Sequence, residues 1–342
     1  MKAAQTLATV SVLVASACST PGDGTLRPQL AFEISSAETG VTAARDLTVD
    51  HRGNVYIFDY DDYVIRQFDP QGRLLSTFGG EGEELGNFQH LMAIRIFGDS
   101  LLALDAGSLS VFDLSGNLRS YRVFADTVIC DHPRLHPDGR WAAERIVEAT
   151  AEKTLTYRDA DGSEQRQLAS YALSEFFPGV EPGEMFFINP TQAHDYLYDF
   201  APDGRLVWVV SDRLQVLKVQ DGIDEPLFEA AANALPFPAE NIAAMKERQT
   251  SLSPPLFMNV PTHFQLVQHL LVDEFGEIWL YVTSREKTGL LRLSSSGNER
   301  GFYSVEADFD VLSARLAVAD RRLYFMVPGR EETAIYSVEL PR

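Results

Sequence analysis

Apolar and polar residues alternate with period two through most of the chain, and the alternation is broken at regular intervals by short clusters rich in Gly, Asp, Asn and Pro. In VDHRGNVYIFDYDDYVIRQFDPQGRLLSTFGG, residues 49–80, two such clusters, HRGN and DPQGR, each lead into a run of β-branched and aromatic residues. The punctuation recurs to the end of the chain. Gly53 is followed by Gly72, Gly98 by Gly116, Gly139 by Gly162, Gly204 by Gly222 and Gly276 by Gly297, and a sixth unit has Asp320 at its turn. The flanking runs, among them NVYIFDY, LLALDAG, RLVWVVS, EIWLYVT and RLYFMVP, carry the composition and period of antiparallel strands. Each unit of about 40 residues therefore reads as a four-stranded up-and-down sheet, the blade of a β-propeller. The pattern predicts an all-β, six-bladed β-propeller over residues 27–342.

Closure tests that count. The sixth unit supplies three strands before the chain stops, while RPQLAFEISS, residues 27–36, is a spare strand ahead of the first unit. As the outer strand of the last blade it would join the two ends of the chain and leave no blade incomplete. Two insertions break the period, LASYALSEFFPGVEPGEMFFINPTQAH and EAAANALPFPAENIAAMKERQTSLSPPLFMNVPTH. The second holds PAENIAAMKERQTSL, a helix with Pro at its start. Both enter next to an inner strand, which puts them on the face where the central channel opens, where loops on a rigid ring commonly carry function.

The 342 residues are 45% hydrophobic, enough for a large core. With 29 basic and 49 acidic residues the formal charge is −20. That field repels phosphate backbones and excludes nucleic acid as a natural partner.

MKAAQTLATVSVLVASA, residues 1–17, has one basic residue and an apolar run too short to span a bilayer, as in a secretion signal. Ala15-Ser16-Ala17-Cys18 resembles the bacterial lipoprotein lipobox, with Ala15 where Leu is usual. The resemblance implies that Cys18 is acylated and becomes the mature N-terminus, with the membrane engaged through the lipid alone. The alternative is cleavage after Ala17 with Cys18 an incidental thiol. Residues 18–26, rich in Gly, Pro, Ser and Thr, suit a flexible tether. With Cys18 lipidated, Cys130 stands alone without a disulfide partner and reads as a core residue.

Residues 53–88 resemble an NHL repeat, through Gly53, Asn54, Tyr56, Asp59, Ile65, Phe68, Asp69 and Gly72, with Asp62 and Val64 departing from its usual Asn and Arg. Residues 27–342 resemble the bacterial six-bladed β-propeller lipoproteins. The resemblance implies a fold and a place, the bacterial cell envelope on its periplasmic or cell-surface side. It implies no reaction.

Two sets of residues carry candidate chemistry. His90, His132, His194 and His263 each precede a first-turn glycine, where an inner strand starts, and could converge on the channel mouth. Three neutral imidazoles would hold a catalytic zinc, as in the NHL-type peptide-amidating lyases. Their offsets from the turn are unequal and no ligand-spacing motif supports them. Calcium is a further cofactor to test, although no EF-type loop is present and Asp59, Asp62 and Asp105 suit turn amides equally well. Arg45, Arg95, Arg134 and Arg315 lie on expected inner strands. They would either draw anions into the channel or pair with carboxylates such as Asp46 and Asp131 and staple the blades. Phe176, Phe177, Met185, Phe186 and Phe187 form an apolar cluster in the first insertion, either a ligand wall or a satellite core. His136 and His269 read as ordinary turn and strand residues. The leading functional expectation is a recognition module binding a peptide, glycan or partner protein at the channel face. The alternative is a metal-dependent lyase or hydrolase with a His-lined channel site.

Overall fold

The computed structural model of the chain describes residues 22–105, 108–123, 131–136, 138–147, 150, 152–158, 165–172, 196–220, 223–251, 263–329 and 331–342. Six antiparallel sheets form the ring, each contributing one inner strand to the axis. The inner strands are Ala44–Val49, Leu91–Phe97, Asp131–Leu135, Tyr196–Phe200, Val267–Val272 and Arg315–Ala319, for blades 1 to 6 in turn. Each packs beside its neighbour, and blade 6 returns to blade 1.

The ring closes as the pattern predicts. Gln29–Ser35 pairs antiparallel with Glu332–Glu339 and becomes the outer strand of blade 6. Ile34 is 1% exposed and packs with Val49, Phe68 and Met326, so the joining strand is part of the core. The second-insertion helix runs over Ala239–Ser251, directly after Pro238.

The N-terminal tether differs from expectation. Gly22–Leu26 is a strand, parallel to the outer strand of blade 5, Glu299–Val305. The Phe302 N–H donates to Asp23 Oδ1 (3.2 Å), and the Glu306 N–H donates to the Leu26 carbonyl (2.9 Å). Composition misleads here because an outer strand offers unpaired backbone groups to any segment that can reach them. Gly301 admits the approach, since a Cβ there would lie 1.9 Å from the Gly22 carbonyl oxygen. Gly, Asp and Thr are poor in core-forming side chains but impose no barrier to backbone pairing at an edge.

The repeated turns have one physical basis. Asp50 Oδ1 accepts the N–H groups of Arg52 (2.8 Å) and Asn54 (2.9 Å), and Gly53 takes φ 79°, a left-handed conformation that glycine adopts without strain. Asp59, at the end of the second strand of blade 1, is fully buried and accepts N–H groups from Thr42 (2.8 Å) and Ala43 (3.2 Å), which lead into the inner strand. Asp105 does the same in blade 2 for Gln89 (2.9 Å) and His90 (2.5 Å).

Candidate functional site

Inner strands border the channel and have no sheet partner on that side, so their free backbone groups need other partners. Side chains from the preceding blade supply them. Asp46 Oδ2 accepts from the Ile94 N–H (3.1 Å), Thr48 Oγ1 from the Ile96 N–H (3.1 Å), and Asp199 Oδ2 from the Val272 N–H (2.9 Å). These three residues stitch blade 1 to blade 2 and blade 4 to blade 5.

Asp199 also receives a guanidinium from blade 2. Arg95 donates from Nη2 to Asp199 Oδ2 (2.9 Å) and its Nη1 contacts Oδ1. The Asp199 side chain is 2% exposed and that of Arg95 is 23% exposed. The bridge joins blades 2 and 4 past the inner strand of blade 3. Arg134, Leu271 and Ala317 complete the wall of a cavity of about 80 Å³ at this level. Pockets that enclose a small molecule hold about 300–1,000 Å³, so the mid-channel takes a few waters or one small head group and no more.

One step nearer the end at which the inner strands begin lie Asp46, His269 and Arg315. Asp46 spends both oxygens on backbone N–H groups, those of Leu47 (3.0 Å) and Ile94 (3.1 Å). His269 is half-buried, with its ring edge-on to Tyr281, and Nε2 is buried with no hydrogen-bond partner. Burial first, then the charge of Arg315, pull its pKa down to about 4; a hydrogen bond with the Val311 backbone opposes this, and the charge of Arg134 adds the least. The ring is neutral at pH 7.

At the mouth, between blades 1 and 2, a ladder of side chains faces outward. The Arg45 guanidinium lies 4.7 Å from the Tyr60 ring centroid, Tyr60 meets Tyr63 edge-on (5.5 Å), and Tyr63 meets His90 edge-on (6.4 Å). Tyr63 holds φ 52°, a strained value for a non-glycine residue. Burial, followed by its hydrogen bond with Tyr60, raises the Tyr63 phenol above its ordinary pKa. Arg45 and His90 are exposed.

The predicted residues thus fall into separate groups. Arg45 and His90 share the mouth ladder, Arg95 and Arg134 line the mid-channel, and Arg315 is exposed at the start of the inner strand of blade 6, its charge acting on His269. His263 is exposed, and its backbone pairs with Pro236 within the second insertion. His132 lies on the inner strand of blade 3, with its side chain outside what is described. Cys18, Cys130, His194 and the Phe176–Phe187 cluster lie outside the described residues. Sequence reasoning missed Asp199, Tyr60, Tyr63 and the buried, unpartnered Nε2 of His269. Asp199 had a signal, being the one charge in the apolar strand YLYDF.

Among the described residues no three His, Cys, Asp or Glu side chains are grouped to hold a metal ion. The two channel carboxylates are already saturated by backbone N–H groups and Arg95. The described channel residues therefore do not fit zinc or calcium.

No family model matches the chain, and no curated protein matches it. Solved structures share the course of the chain. Regucalcin of Agrobacterium tumefaciens, a calcium-binding protein, is 12% identical with TM-score 0.48, covering 93% of this chain and 97% of its own. A gluconolactonase of Xanthomonas campestris is 12% identical with TM-score 0.43, covering 94% and 98%. An inactivated virginiamycin B lyase of Staphylococcus aureus is 11% identical with TM-score 0.45, covering 92% and 100%. Likeness at this level carries nothing about the chemistry of the channel.

Proposed function

We propose that the protein is a recognition module of the bacterial cell envelope, lipid-anchored at Cys18, that binds a peptide, glycan or partner protein at its channel mouth. One observation carries the reading. The channel carboxylates are committed to backbone N–H groups and to Arg95, whereas the outward-facing groups, Arg45, Tyr60 and His90, suit contact with a ligand. A hydrolytic or lyase site needs a base or nucleophile free to act. Asp46 and Asp199 have no such freedom, while exposed Tyr and Arg side chains are the groups that dominate binding surfaces.

The test is a screen of the purified full-length protein in detergent micelles against envelope peptides and glycans, paired with metal analysis. The reading expects a retained ligand whose binding falls at least several-fold in an Arg45→Ala/Tyr60→Ala variant. An empty screen, together with stoichiometric zinc and metal-dependent turnover, would replace it with the lyase or hydrolase alternative.

A further inference from the structure

The repeated turns and the channel mouth lie at opposite ends of the ring. Inner strands begin at the mouth and run to the first turns, residues 50–54 in blade 1 and 273–277 in blade 5; third strands run the same way to the second turns, 69–73 and 294–298. In blade 5 the two turns are side by side, since a Cβ on Gly276 would lie 3.5 Å from the Ser295 Cβ. The N-terminal strand reaches this same end. Parallel to Glu299–Val305, it sets Gly22 opposite Gly301, just past the second turn, and Leu26 opposite Val305, toward the mouth. Traced backward the chain heads for the turns, and Gly22 is the fourth residue after Cys18. Four residues reach about 14 Å at most. We propose that the turn face of blades 5, 6 and 1 is the surface the protein lays against the bilayer, so that the channel mouth points away from the membrane. This orientation rests on the anchor at Cys18 in the recognition reading and gives its ligand site a direction.

A free tether would let the ring face either way, and this one is fixed. Leu26 is buried with Trp279, Tyr281 and Phe325, the Ser304 hydroxyl donates to Thr25 Oγ1 (2.9 Å), and Arg27 pairs with Glu306 (2.8 Å).

The chemistry of the turn face suits a lipid boundary. Phe275, in the first turn of blade 5, is 53% exposed, and the Arg321 guanidinium of blade 6 lies 4.4 Å from its ring centroid. Asp320 and Arg321 hold φ 45° and 55°, left-handed values that a two-residue hairpin turn ordinarily gives to Asn-Gly. Leu74 and Leu75 are exposed directly after the second turn of blade 1, beside exposed Arg73. Large apolar side chains among arginines sit at the boundary of headgroup and acyl chain, the apolar part buried and the guanidinium at the lipid phosphate. Charge is balanced around Phe275, where Arg300 follows Glu299 and Arg321 follows Asp320. The mouth differs. Asp61, Glu81, Glu83 and Glu84 are exposed there, and an anionic leaflet repels them. Exposed Leu85 stands next to these carboxylates, whose burial against lipid would be costly.

Förster transfer on the acylated full-length protein tests the orientation. The protein is inserted into liposomes of phosphatidylethanolamine and phosphatidylglycerol that carry a trace of lipid with a rhodamine headgroup. A donor dye is attached through an azide-bearing amino acid in place of Ser295, exposed on the turn face, or of Glu84, exposed at the mouth. Transfer from position 295 is expected to exceed that from position 84 several-fold. Gly301→Val, which drives a side chain into the Gly22 carbonyl, should release the strand and bring the two transfers together at unchanged acylation. Where Gly301→Val lowers the thermal midpoint, the two positions in the native chain decide alone. Equal transfer from both, stronger transfer from position 84, or a contrast untouched by a folded Gly301→Val overturns the orientation. Mass spectrometry separates the outcomes. Lipid on Cys18 with equal transfer removes the orientation alone, whereas Cys18 without lipid removes the anchor and the orientation with it. The expected contrast alongside an empty ligand screen supports the orientation and removes the recognition reading alone.

Discussion

At the hairpin ends of the blades one solution is repeated, whereas around the channel no two blades agree. Asp50, Asp69, Asp113 and Asp273 each accept the backbone N–H groups two and four residues on, followed by a left-handed glycine, whether the turn lies in blade 1, 2 or 5. The channel position held by Thr48 in blade 1 is instead Arg95, Arg134, Asp199, Leu271 and Ala317 in the blades that follow. A turn is a local problem whose answer depends on four or five neighbouring residues, so the same answer serves every blade. The channel is shared by six strands, and identical side chains there would crowd one axis with like charge. Repetition builds the ring, and departure from repetition builds the site.

The contrast predicts a graded set of effects. Removing residues 29–35 strips the outer strand from blade 6 and should abolish cooperative unfolding, read by denaturant titration; the milder Ile34→Ala should cost about 2–5 kcal/mol. A deletion variant that unfolds with the original midpoint would show that the ring does not depend on its closing strand. Asp199→Ala leaves the Val272 N–H orphaned and Arg95 unpaired, and should cost about 3 kcal/mol, part of it recovered in Asp199→Leu/Arg95→Met. Equal losses in the single and double variants would deny the coupling of blades 2 and 4.

Acidity should act through His269. Its folded pKa, about 4, lies below the ordinary 6.5, so the unfolded chain takes up the proton first. Its contribution is complete above pH 6.5 and is lost as pH falls toward 4, about 2 kcal/mol for a half-buried ring. Comparing wild type with His269→Gln from pH 7.5 to 4.5 isolates that share, and parallel profiles would refute it.

Smaller effects belong to the turns. Asp113→Ala, at a solvated turn, should cost about 1 kcal/mol, and Asp50→Ala somewhat more, because Asp50 is 1% exposed and also accepts from Asn54 Nδ2 (2.8 Å). The two losses should add, since the turns lie in different blades. Least of all, Arg315→Ala should move stability by under about 0.5 kcal/mol, in keeping with an exposed side chain.

Much of this could be read before any coordinates. The glycine and aspartate punctuation marked the blades, RPQLAFEISS marked the closing strand, and Pro238 marked the helix start, because each signal lies within a few residues of its effect. Arg95 and Arg134 could be placed near the axis from the alternation of their strands. Their partners could not. Asp199 is 104 residues from Arg95, and nothing local distinguishes a carboxylate that crosses a channel from one that faces solvent. The four histidines looked equivalent by position, yet the structure puts His90 in an aromatic ladder and His263 on the second insertion, while His269, a strand residue as read, packs on Tyr281 with its Nε2 buried and unpartnered.

Period two, turn chemistry and the count of units are properties of short segments, and the amino-acid order alone determined them, with six blades and a shared last sheet as the result. Pairing across the axis, the attachment of residues 22–26 to blade 5 and the burial of His269 Nε2 arose only when distant strands were brought together. Electrostatic and hydrogen-bonding energies depend on distance in space, and a linear order of residues holds no record of it until the ring has closed.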